Sequence, residues 1–204
     1  MSHLPPLAHL PFSPAADRNK QPILDVLLTL LPPTGHALEV ASGTGQHAVW
    51  FTAALPGWTW QPTEYATAAL PWLRAAAAGR LLPPLQLDVA APDWPLAGAR
   101  FELIFCANLL HIAPRPCCAG LMQGARRHLA PQGLLITYGP YLEDAVPTAP
   151  SNLAFDADLK ARNPSWGLRR LEDIQAEAQR AGLRLQQRVA MPANNLLLVW
   201  GLQG

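Results

Sequence analysis

The chain has 204 residues, half of them hydrophobic and only 14% charged, with a formal net charge of +1. That balance excludes a disordered chain and gives no electrostatic case for a nucleic-acid groove. A chain this long suits one domain with a sizeable core, and the expectation is a single domain over 1–204. Cys106, Cys117 and Cys118 form neither a CxxC pair nor a disulfide framework, so they are read as reduced. The opening from Met1 to Pro14 is apolar and proline-broken but lacks the basic start of a secretion signal. No run of about 18 apolar residues is present, so no membrane span is expected and the chain reads as cytoplasmic. No histidine or cysteine cluster has metal-ligand spacing, and no metal is expected.

A proline-rich lead-in covers 1–16. Then Asp17-Arg18-Asn19-Lys20-Gln21-Pro22 precedes an amphipathic run to Leu31, with Pro22 suited to a first helical turn and Pro32-Pro33 to its stop. Apolar runs at 37–41, 58–63, 84–88, 101–107 and 133–138 read as strands. Helical patterns at 45–55, 65–79 and 115–129 separate them. A last helix at 169–181 leads to strands at 183–190 and 195–201. Such alternation predicts a mostly parallel α/β sheet with helices on both faces. The final two runs are joined by a connection that allows an antiparallel hairpin and is too short for a parallel crossover. The segment 139–167 is too long for an ordinary connection and reads as a lid or acceptor-binding segment.

The stretch Leu38-Glu39-Val40-Ala41-Ser42-Gly43-Thr44-Gly45-Gln46-His47 carries the most chemistry. An apolar run ends in an acid, passes into a Gly-x-Gly turn and enters a helix. Such a turn bares backbone amides at a helix start. The acid before it repels phosphate, so the turn suits a cationic nucleotide such as S-adenosylmethionine better than a pyrophosphate. The same residues also fit the loose dinucleotide fingerprint, which leaves an NAD(P)-dependent oxidoreductase open.

Ligands of open parallel sheets bind outside the carboxyl ends of the strands. Those ends here hold Glu64, suited to ribose hydroxyls, and Asp88-Val89, suited to an adenine amino group. Asn108 follows the fourth strand and is placed with the cofactor or the acceptor, and His111 is the first candidate for a general base. Each has a plainer alternative: a solvent-facing strand end for Glu64, a turn cap for Asp88, packing for His111. Asn194 and Asn195 could hydrogen-bond an acceptor or simply make the turn.

With those residues in place, the chain resembles the methyltransferase-like 26 family, a domain of unknown function within the class I S-adenosylmethionine-dependent methyltransferases. The resemblance runs in order through 17–23, 38–48, 60–64, 108–112, 138–141, 151–156, 162–169 and 191–195. It implies a Rossmann-like class I methyltransferase fold with a seven-stranded sheet and S-adenosylmethionine as cofactor. It names no acceptor; the expected partner is a small molecule rather than a nucleic acid or membrane. Ala41 stands where the wider superfamily often has glycine, a variation that looks typical of this family. On this reading Arg18, Asn19, Glu39, Ala41, Gly43, Gly45, Glu64, Asp88, Val89 and Asn108 serve the cofactor. Asn152, Phe155, Arg162, Trp166, Asn194 and Asn195 line an acceptor pocket with Tyr141, and the base is His111, Asp156 or Tyr141. A non-catalytic protein that binds the cofactor and docks a partner on the lid is the third reading.

Overall fold

The computed structural model describes residues 11–69, 71, 73–74 and 79–204. The chain divides into two compact units, Met1–Asp88 and Val89–Gly204.

The first unit begins with α1 (Pro14–Leu30), whose N-terminus is capped by Ser13 Oγ accepting from the Ala16 N–H. Its buried residues Ala16, Asn19, Ile23, Leu24 and Leu27 recur at helical spacing. The helix therefore starts two turns before the expected position, and Pro22 lies inside it rather than in its first turn. An internal proline costs about 3 kcal/mol relative to alanine. The buried stripe, Ala16 and Asn19 before the proline and Ile23, Leu24 and Leu27 after it, offsets that cost. Strands β1 (Gly35–Val40), β2 (Trp58–Glu64) and β3 (Leu85–Gln86) are parallel in the order β3-β2-β1, with α2 (Gln46–Ala54) between the first two in sequence. Strand β3 is shorter than the expected 84–88. Pro83 and Pro84 supply no N–H, so a ladder can begin only at Leu85. The helix expected at 65–79 falls partly outside the described residues; what is described there is a short 3-10 turn, Thr67–Ala69.

The second unit holds β4 (Phe101–Ala107), α3 (Pro116–His128), β5 (Leu129–Gly139), β6 (Tyr141–Leu142), α4 (Pro150–Arg162), β7 (Arg169–Arg170), α5 (Leu171–Arg180), β8 (Leu183–Met191) and β9 (Asn195–Leu202). Its main strands run β4-β5-β9-β8, with β4 and β5 parallel and β9 antiparallel to both neighbours. Leu196 through Gly201 are all buried, as a strand flanked on both sides requires. Edge strand β8 keeps its middle residues exposed. The 139–167 segment is more ordered than a bare connection: it contains β6 and the 13-residue α4. Sequence periodicity misses α4 because its buried residues are Asn152, Asp156 and Leu159, while the apolar Leu153 and Phe155 stay exposed.

Candidate functional site

The glycine turn of the first unit has a specific backbone. Ala41, Gly43 and Gly45 all take left-handed φ values, +59°, +55° and +76°. For alanine that conformation costs on the order of 1–2 kcal/mol. It is held by Ser42 N–H donating to Thr63 O at 2.9 Å and by Gly45 N–H donating to Ser42 O at 2.8 Å. A Cβ at Gly45 would lie 2.6 Å from Leu73 Cδ2, whereas one at Gly43 would meet nothing within 4 Å. The turn is thus packed on one side and open on the other. Glu64 closes onto it: Oε2 accepts from the Gly43 N–H at 2.8 Å, and Oε1 accepts from Tyr65 and Ala66. Because Leu87 N–H donates to Glu64 O at 3.0 Å, the chain just before the exposed Asp88 runs beside Glu64.

Glu39 points elsewhere than the sequence suggests. Its carboxylate is buried and accepts from Trp60 Nε1 at 2.7 Å. Burial pushes its pKa up to about 8, against the Trp60 bond, and the nearby Glu64 adds to the rise. Asn19 is also turned inward, with Oδ1 2.6 Å from His47 Nε2. His47 stacks on Phe51, and burial, reinforced by Lys20, lowers its pKa to about 4. The Asn19–His47 bond ties α1 to α2 behind the glycine turn. Arg18 is exposed.

In the second unit, Val89 is buried and its carbonyl accepts from Trp94 Nε1. Strand β4 ends in a loop at Asn108, which has φ +58° and donates its N–H to Tyr138 O at 2.8 Å. A Cβ at Gly139 would lie 3.4 Å from His111 Nδ1 and 3.7 Å from Asn108 Oδ1, so both side chains flank that glycine. His111 is buried, with its ring edge-on to Phe155 at 5.5 Å. Burial, then the charge of Arg169, lowers its pKa to about 4, so the ring is neutral at pH 7.

Arg169 is the residue that sequence reasoning missed. Its Nε donates to Leu110 O at 2.9 Å, and Nη2 donates to Ala113 O at 2.5 Å and Ser165 O at 3.0 Å. Between those, Gly167 N–H donates to His111 O at 3.0 Å. Asp156 fixes this bracket from α4, accepting from Leu168 N–H at 2.8 Å while pairing with Lys160. The only signal in the sequence was that Arg169 closes the Trp166-Gly167-Leu168-Arg169 stretch. Tyr141 is buried, and its hydroxyl donates to Thr137 Oγ1 at 3.0 Å. Burial raises its pKa above the ordinary phenol value.

The expected acceptor residues separate into two groups. Asn152 Nδ2 donates to Asn194 O at 3.0 Å, joining α4 to the β8–β9 turn, and Asn195 stands at the end of that turn. Arg162 and Trp166 instead pair with each other, the guanidinium lying 5.4 Å from the indole ring centre, and Arg162 also reaches Asp158. Among the described residues, no group of three His, Cys, Asp or Glu side chains could hold a metal ion. No described helix is long and apolar enough to cross a membrane.

The family model described as "Protein of unknown function (DUF938)" matches residues 10–201. Among solved structures, the chain resembles CalO1, a methyltransferase of calicheamicin biosynthesis in its SAH-bound form, at 16% identity and TM-score 0.71, covering 92% of this chain and 55% of that one. An O-methyltransferase family protein from Burkholderia thailandensis matches at 18% identity and TM-score 0.75, covering 93% and 58%. Human N-acetylserotonin methyltransferase in complex with SAM matches at 13% identity and TM-score 0.75, covering 93% and 53%. The chain thus spans little more than half the length of these proteins. The likeness shows the fold, Rossmann-like α/β with a mostly parallel seven-stranded sheet and one antiparallel strand, as expected from the sequence.

Proposed function

This chain belongs to the family described as a protein of unknown function (DUF938), and from that premise we propose that it is an S-adenosylmethionine-dependent methyltransferase acting on a small molecule. The finer placement in the methyltransferase-like 26 group is part of the same reading. The observation that carries it is the glycine turn, with three left-handed residues, an open face at Gly43 and Glu64 already bonded to the Gly43 amide. The SAH-bound and SAM-bound neighbours and one crystallised with apigenin support the cofactor and a small acceptor. The family match, running from 10 to 201, supports reading the chain as one methyltransferase-like domain.

S-adenosylmethionine supplies a methyl group on a sulfonium, and its transfer to a nucleophile leaves a neutral thioether. The protein's own task is to position, and holding reactants in line contributes on the order of 7–11 kcal/mol. Glu64 would exchange its bond to Gly43 for the ribose hydroxyls, freeing that amide for the ligand, while Asp88 would take the adenine amino group. Ala41 and Gly45 hold the turn open, and Glu39 and Asn19 act behind it through Trp60 and His47. Asn108 and His111 stand together at the end of β4. His111, neutral at pH 7, would accept the proton an acceptor hydroxyl or amine releases as its lone pair attacks the methyl carbon. Asp156 serves as a positioning residue, and Tyr141 packs the wall. Incubation with methyl-labelled S-adenosylmethionine and a small-metabolite extract tests the proposal. Label should appear in a small molecule and fall at least about tenfold in His111→Ala, within the range general-base catalysis supplies. Cofactor binding with no transfer to any extract would favour the non-catalytic docking protein instead.

A further inference from the structure

A cavity of about 190 Å³ lies entirely within the second unit, between the chain from Tyr141 to Asn152 and the β8–β9 turn. Cavities of roughly 150 Å³ accommodate benzene, so this one has room for a single substituted ring. Val146, Met191 and Leu196 give it apolar wall, and the methionine sulfur favours an aromatic face.

Its polar wall is made by three asparagines whose amide nitrogens are already engaged. Asn152 Nδ2 donates to Asn194 O, and Asn195 Nδ2 donates to Pro192 O and Ala193 O. Backbone carbonyls only accept, which fixes the orientation of both amides. Asn194 Nδ2 reaches Ser151 Oγ at 3.4 Å. Both hydrogens of Asn195 Nδ2 are thereby used, so that side chain retains only its Oδ1 acceptor, while Asn152 and Asn194 each retain an Oδ1 acceptor and one N–H. Glu143 and Arg188 close the wall as a two-pronged pair at 2.6 and 2.7 Å, neutralising each other. The turn itself carries two consecutive left-handed residues, Ala193 and Asn194, so this wall is maintained against backbone strain.

We infer that the cavity binds an uncharged single-ring group that donates a hydrogen bond from a hydroxyl or amine. Resting on the methyltransferase reading, this group is the recognition end of the methyl acceptor. Three Oδ1 acceptors against two spare N–H groups, with Asn195 able only to accept, favour a donor, and the closed ion pair gives a charged ligand no advantage.

Amide chemical-shift titration of the ligand-free protein tests this, using phenol and aniline against anisole and N,N-dimethylaniline. The donor-bearing pair should shift the amides of 190–191 and 193–196 and bind about fivefold or more tighter than the methylated pair, as one neutral hydrogen bond supplies. Ala190→Trp, which fills the cavity from an exposed position, should abolish the shifts. Asn194→Gly keeps the left-handed turn but removes one acceptor, and should reduce the preference. No shift, equal affinity for both pairs, or shifts that survive Ala190→Trp would overturn the inference. Because no cofactor is present, failure of the methyltransferase reading would leave these binding results intact and would show only in cofactor binding and turnover.

Discussion

Three buried titrating residues pull the stability of this protein in opposite directions with pH. Glu39 keeps its proton to about pH 8 when folded but would lose it near 4.5 when unfolded. Across that window the unfolded chain binds fewer protons, so stability falls as pH rises. His47 and His111 behave in reverse: both pKa values drop from 6.5 to about 4, so stability falls as pH falls through that window. Where the windows overlap, two histidines outweigh one glutamate. Stability should therefore peak near pH 6.5. Denaturant titrations at about pH 5, 6.5 and 8.5 read this directly. Glu39→Gln keeps an acceptor for Trp60 and should flatten the alkaline limb by about 1 kcal/mol or more, since one pKa unit is worth about 1.36. An unchanged alkaline fall would place its cause elsewhere. At the same scale, the placing of Glu64 beside the glycine turn was legible in sequence because both lie where parallel strands end. The inward turn of Glu39 was not, since nothing local announces that Trp60 lies beside it on the neighbouring strand.

At the scale of elements, α4 and the 163–169 stretch act as a bracket for the loop that carries Asn108 and His111. Successive loop carbonyls at 110, 111 and 113 are each taken by Arg169 or Gly167. Leaving a buried carbonyl without its donor costs about 1–3 kcal/mol. Arg169→Met uncovers two buried ones, at Leu110 and Ala113, so a loss of about 2–6 kcal/mol is expected in denaturant unfolding. It also removes a positive charge that opposes protonation of His111, so the imidazole pKa should move up toward its ordinary value in an NMR titration. Facing His111 from the other packed elements are uncharged groups, Phe155 on α4 and Gly139 at the end of β5. A destabilised variant with an unmoved His111 titration would mean Arg169 only packs. This bracket was invisible to periodicity, because α4 buries polar residues and exposes apolar ones. The expectation of a lid or acceptor-binding connection over 139–167 missed its helix for the same reason. The start of α1 was likewise misplaced, because Pro22 is an obvious helix-start residue whereas Ser13-Pro14 is a better one.

For the whole molecule, the seven strands of the main sheet and the antiparallel final hairpin were legible, because alternating apolar runs and short connections leave few topologies open, whereas the two-residue strands β6 and β7 were not. The cavity beside the β8–β9 turn was not legible, because its wall depends on amide orientations and a turn conformation set by contacts across 42 or 43 residues of sequence. Thermal unfolding with S-adenosylmethionine, S-adenosylhomocysteine, NAD and NADP tests the choice of cofactor most directly. A ligand at 100 times its dissociation constant stabilises the fold by about 2.7 kcal/mol, roughly 5–10 °C for a chain of this size. A rise with the two adenosyl compounds alone, lost in Glu64→Ala, is the predicted result; a rise with NAD or NADP alone, or with none of the four, would contradict it.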